Sequence, residues 1–163
     1  IGNSHRGSLP SNFEIERAIS SFYKTFVLDH NVILTEMRGT ALTVMHWLIE
    51  FYPYLVGPVL EGTANTSTPI EIHVSSDVTE EVINTLQQRD VDLKIEERRL
   101  KLSKGLICLP TLIFFYQDYK VAITAFTLLQ QHQHPKSKIQ NCSMERMNIK
   151  SLADLLNQNP RPL

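Results

Sequence analysis

Residues 60–74, LEGTANTSTPIEIHV, carry the side chains best suited to chemistry. Gly62 and Thr63 stand at the end of a short apolar run, and Glu71 and His73 follow on a segment that alternates polar and apolar. These are the parts of a phosphoryl-transfer site. Glycine lets backbone amides approach phosphate oxygens closely, and a neighbouring hydroxyl adds a donor. Residues i and i+2 of a strand share one face, and carboxylates placed there can hold Mg²⁺ ions that bridge a triphosphate. Gly62 and Thr63 are therefore the candidate phosphate- or nucleotide-binding residues. Glu71 is the candidate catalytic carboxylate and metal ligand, with His73 beside it as a second ligand or a base. Each also has a plainer reading. Gly62-Thr63 makes a tight turn, Glu71 is an exposed strand residue, and Glu71 with His73 is an ordinary surface pair.

Other reactive residues fit solvated or structural roles. Arg98, Arg99, Lys101 and Lys104 form a basic cluster, but Glu96 and Glu97 adjoin it. A solvated hairpin is expected there, and nucleic acid is not an expected partner. His132 and His134 lie in a polar loop with no Cys or third His nearby, so they read as loop residues. Cys108 sits in the apolar run 106–110 and is expected in the core, while neither cysteine belongs to a CxxC pair. No GxSxG, GxGxxG or GxxxxGK[ST] motif occurs.

The elements that must position these residues follow from the apolar spacing. Ser11-Asn-Phe-Glu14 is a capping box, and Ile15, Ile19, Phe22 and Phe26 continue at helical spacing, which predicts a helix over 12–27. A second helix starts near Asn31, with Leu34, Met37, Ala41, Val44, Met45, Leu48 and Tyr52 on one stripe, and Pro53 ends it. Ile70, Ile72 and Val74 alternate as a strand. Ser76 or Asp77 caps a helix to about Arg89, with Val78, Val82, Ile83 and Leu86 inward. Short strands are predicted at 91–95 and 100–102. Runs 106–116 and 119–126 form a hairpin turning at Gln117-Asp118, deep in the sheet. A last helix covers 151–157. The fold class is α+β: a mixed sheet covered by helices on one face and preceded by two N-terminal helices.

With 163 residues and 42% hydrophobic composition, the chain reads as one domain over 11–157, with an N-terminal arm at 1–10 and a tail at 158–163. A formal net charge of −1 gives no global attraction to nucleic acid or to an anionic membrane. No run reaches the roughly 20 apolar residues of a membrane span. Two cysteines build no disulfide framework, so a reducing cytoplasm is the expected compartment.

The stretch around Gly62 and Glu71 resembles the nucleotidyltransferase superfamily, whose signature is an apolar residue, Gly and Ser, then Asp-x-Asp (or Glu) on a strand. The chain is similar, more closely, to a group of bacterial nucleotidyltransferase-like proteins. The likeness lies in residues 9–15 (LPSNFEI), 53–64 (PYLVGPVLEGTA), Arg98-Arg99, the strand 121–126 and residues 144–146 (MER), and it spans about 9–156. It implies Mg²⁺ and a nucleoside triphosphate as cofactor and ligand. It also implies positions for three metal acids. Pro69 stands at the first, Glu71 fits the second, and the third falls at Ala122, with Thr124 the other polar candidate on that strand. A lone carboxylate cannot hold two Mg²⁺ ions, each of which demands a near-octahedral oxygen set. The implied function is a nucleotidyltransferase-like protein, impaired in catalysis, that retains a nucleotide or phosphate ligand. Two alternatives stay open. One is an active transferase with a rearranged single-metal site using Glu71 with His73 or Asp77. The other is a non-enzymatic module whose arm and long helix bind a protein partner or a second copy of the chain.

Overall fold

The computed structural model describes residues 9–102, 104–131 and 145–158. His132, His134 and Cys142 lie outside the described residues, as do most of the arm and the tail. The chain divides into two compact units, residues 1–32 and 33–163, and the division falls within the first helix. That helix, α1, runs Asn12–Trp47. It is followed by a 3₁₀ turn Ile49–Phe51, β1 (Tyr54–Val56), α2 (Pro58–Glu61), β2 (Ile70–Ser75), α3 (Thr79–Gln87), β3 (Lys94–Leu102), β4 (Gly105–Tyr116), β5 (Tyr119–Phe126), α4 (Leu128–Gln131) and α5 (Ile149–Gln158).

In the first unit the capping box forms. The Ser11 amide donates to the Glu14 carboxylate at 2.8 Å, and the Glu14 amide donates to Ser11 Oγ at 3.3 Å. The spacing predicts two helices, whereas α1 is one helix of 36 residues. Leu28-Asp29-His30 contains neither Gly nor Pro, so nothing interrupts the i→i−4 ladder there. The helix stops at Trp47, Tyr52 turns left-handed at φ 50°, and Pro53 follows.

In the second unit the five strands lie in the order β1-β2-β5-β4-β3. Among the described residues only the β2–β5 pair is parallel; the other three are antiparallel. The α+β class with a mixed sheet therefore holds. The β4–β5 hairpin turns at Gln117 and Asp118 with φ of 50° and 67°. Positive φ at both central residues matches the right-handed twist of the strands. β5 is the middle strand, so this hairpin sits deep in the sheet. β3 is continuous where two short strands are predicted. It is a sheet edge, and charged side chains such as Glu96 and Arg99 suit an edge because they discourage further strand pairing.

One face of the sheet carries Ile70, Ile72, Val74, Leu112, Phe114, Val121, Ile123 and Ala125. These pack with Met37, Ala41, Val44, Met45 and Leu48 of α1, Val82 and Leu86 of α3, and Leu152 of α5. Each buried Val, Leu, Ile, Phe or Met among them contributes about 1.5–3 kcal/mol through removal of apolar surface from water. Leu100, Leu102, Leu109 and Phe126 form a second, smaller cluster. Cys108 is exposed, not in the core. Its neighbour Leu109 faces inward, and adjacent strand residues face opposite ways. Neither Ser76 nor Asp77 caps α3, whose N-cap position is Val78 with no side-chain cap. Asp77 instead accepts the Leu128 amide at 3.1 Å, and Val78 is exposed. Among the described residues no helix is long and apolar enough to cross a membrane.

Candidate functional site

β2 sends Ile70, Ile72 and Val74 to the core, so Glu71, His73 and Ser75 face the other way. The registers build that second face row by row. Glu71 lies between Val56 of β1 and Ala122 of β5. His73 lies between Tyr54 and Thr124, and Thr111 of β4 continues its row. Phe126 stands beside Ser75. The parallel neighbour nearest Glu71 therefore presents a methyl group and no oxygen donor. The Thr124 hydroxyl is buried and shares a 3.3 Å hydrogen bond with the Thr111 hydroxyl.

Glu71 is neither an exposed strand residue nor half of a pair with His73. Its Oε1 lies 2.8 Å from an Nη of Arg98, with side-chain exposures of 14% for Glu71 and 22% for Arg98. So sheltered a charge-assisted contact is worth more than a surface ion pair, and losing one partner strands the other. Gly57 makes room for the carboxylate. Its φ of 74° and ψ of −157° belong to a region open essentially to glycine alone. A Cβ at that position would press into Glu71 Oε2.

His73 is buried, with its ring centroid 4.7 Å from that of Phe126. Burial first, and then the positive charges of Arg98 and Arg146, push its pKa down to about 3. The imidazole is therefore neutral at physiological pH. Arg146 arrives through a two-bond bridge between Leu55 and Met147, at 2.8 and 3.0 Å, and its guanidinium lies 4.8 Å over the Tyr54 ring. Tyr54, His73, Ser75, Phe126, Gln130 and Arg146 line a half-open cavity of about 10 Å³. That holds about one water, against the roughly 300 Å³ of a small-ligand pocket.

Gly62 and Thr63 do not take the place expected of a phosphate cradle. β1 ends at Val56 and Gly57 follows it, whereas Gly62 ends the single turn α2 with φ 87°. The amides of Gly62, Thr63 and Ala64 all donate to the Pro58 carbonyl, at 2.9, 3.0 and 3.2 Å. A cradle aims such amides outward at an anion; here they close a turn. Arg38 braces that turn from α1, donating to the carbonyls of Val59 at 3.0 Å and Leu60 at 2.9 Å.

The basic cluster divides. Arg99, Lys101 and Lys104 are exposed, as a solvated hairpin requires, while Arg98 turns to Glu71. Among the described residues no group of three His, Cys, Asp or Glu side chains could hold a metal ion. Gly57, Arg98, Arg146 and Tyr54 are the site residues that spacing did not single out for these roles. A Gly-Pro pair directly after an apolar run is the one local signal, for Gly57. No family model and no curated protein matches the chain.

Proposed function

We propose that this chain is a nucleotidyltransferase-like domain in which an ion pair has replaced the metal site, and that it does not transfer nucleotides. The observation that carries this reading is the 2.8 Å contact between Glu71 Oε1 and Arg98. A magnesium site needs about six oxygens near 2.0–2.1 Å. Glu71 has one carboxylate oxygen committed to a guanidinium, Ala122 faces it across the parallel pair, and Pro69 precedes the strand. These residues do not fit the ion, and no step is routed through it. The phosphate end is altered as well. The amides of Gly62 and Thr63 close a turn on the Pro58 carbonyl, and the glycine that directly follows β1 is Gly57, with Pro58 next. Proline offers neither a hydroxyl nor an N–H.

The charge left on this face is inverted. Arg98 and Arg146 both act on His73, and Glu71 neutralises one of them. An anion such as a nucleotide phosphate, held at the open side of the one-water cavity and not inside it, suits that balance better than a divalent cation, with Arg146 as its anchor. The rearranged single-metal alternative has less support, because Asp77 is engaged with the Leu128 amide and His73 is buried against Phe126.

Calorimetric titration with nucleoside triphosphates, with and without Mg²⁺, tests the reading. The expected result is binding that Mg²⁺ does not strengthen and that Arg146→Ala weakens, with no label incorporated into RNA or protein acceptors. Mg²⁺-dependent binding abolished by Glu71→Ala would overturn it.

A further inference from the structure

We propose that residues 12–32 of α1 form a self-association surface that pairs with the same residues of a second copy of this chain. The inference stands apart from the reading of the Glu71 site and survives its failure. Phe22, Tyr23 and Phe26 are 69%, 62% and 61% exposed, and Ile15 and Ile19 are 42% and 50% exposed. Phe22 and Phe26 stack with centroids 6.3 Å apart. Together with Ala18 and Ile19 they line an open apolar groove along the helix.

Ile15, Ile19, Phe22 and Phe26 recur at intervals of four, three and four residues, the spacing of a two-helix seam. Ala18, one turn from Phe22, is small and lines the same groove. The helix also needs a partner. This segment is rich in aromatic and β-branched residues, which have only middling helix propensity, and a lone helix of such composition is marginal in water.

The available area suits a second copy. Three aromatic side chains of roughly 150–250 Å² each, about three-fifths exposed, offer roughly 300–400 Å². Ile15 and Ile19, about half exposed, bring the total to roughly 450–550 Å² per chain. Two copies then bury at most roughly 900–1,100 Å², close to the roughly 1,000 Å² that a specific interface needs. An identical patch on each chain meets the requirement of a two-fold contact.

Charge favours the same occupant. Arg17 and Lys24 are seven residues apart and lie off the seam, so paired copies do not force them together. Glu14, Glu16 and Asp29 outnumber these two cations in the segment. That balance is wrong for an anionic membrane, whose surface helices carry Lys and Arg on the polar face.

Sedimentation velocity of the full chain at low and high micromolar loading tests the proposal. The expected mass rises from one chain toward two, and the Phe22→Asp, Phe26→Asp double variant weakens the association at least about tenfold while thermal unfolding stays cooperative. If that variant does not fold, the milder Phe22→Ser and the loading dependence of the wild-type chain still give the answer. A monomer at every loading overturns the proposal, as does a dimer indifferent to these substitutions. So does a monomer that co-floats with phosphatidylglycerol vesicles, which would assign the face to a membrane.

Discussion

The two faces of β2 are made by different kinds of information. Ile70, Ile72 and Val74 pack into a continuous apolar core, and alternation along the strand is enough to place them. Glu71, His73 and Ser75 face the opposite way, yet they are sheltered too, by partners from distant parts of the chain. Arg98 comes from the edge strand β3, Arg146 from the segment before α5, and Tyr54 from β1. The apolar face needs only shape and exclusion of water. The polar face needs charges paired at specific atoms, so its stability depends on protonation while that of the apolar face does not.

Two substitutions sharpen this contrast. The larger effect is expected from Ile72→Ala, which empties space at a residue with no exposure. A loss of about 3–4 kcal/mol is expected in urea unfolding, the same at pH 7 and pH 5. A loss that changes with pH would show that the two faces are coupled.

His73→Gln probes the polar face. In the fold His73 stays neutral down to about pH 3, against an ordinary value of 6.5. Above pH 6.5 neither the folded nor the unfolded chain holds the proton, and the contribution of the neutral imidazole is complete. Below it, the unfolded chain takes up a proton that the fold refuses, so stability falls as pH drops from 6.5 toward 3. For the wild-type chain this amounts to about 2 kcal/mol between pH 7 and pH 5. The Gln variant lacks that increment, and unfolding midpoints at the two pH values measure it. Equal pH dependence in both proteins would mean that His73 titrates normally in the fold.

What was legible in the sequence follows the same division. The strand 70–75, the hairpin at Gln117-Asp118, the capping box at Ser11 and the helical stripe from Leu34 to Leu48 all rest on local periodicity or turn chemistry. Ala122 is different: only the family resemblance pointed to it, and it is the parallel pairing that sets it directly beside Glu71. The join at Leu28-Asp29-His30 was not legible, because a polar interval in the apolar spacing looks like a boundary although the backbone is free to continue as helix. The partnership of Glu71 with Arg98 was not legible either. Arg98 sits within the run Glu96–Arg99, and only the folding of the sheet decides which of its charges leaves the solvent. Gly62 and Gly57 show the limit most plainly. Gly57 opens the turn α2 and Gly62 ends it, but only the hydrogen bonds to the Pro58 carbonyl reveal that the amides from Gly62 onward close inward.

The central claim is that a guanidinium, not a metal ion, is the partner of Glu71. Titration of Mn²⁺ into the protein, followed by the electron paramagnetic resonance signal of the free ion, tests it most directly. The expected result is a free-ion signal unchanged by the protein up to millimolar Mn²⁺. Loss of that signal in the wild-type chain, restored by Glu71→Gln, would contradict the claim and make Glu71 a metal ligand.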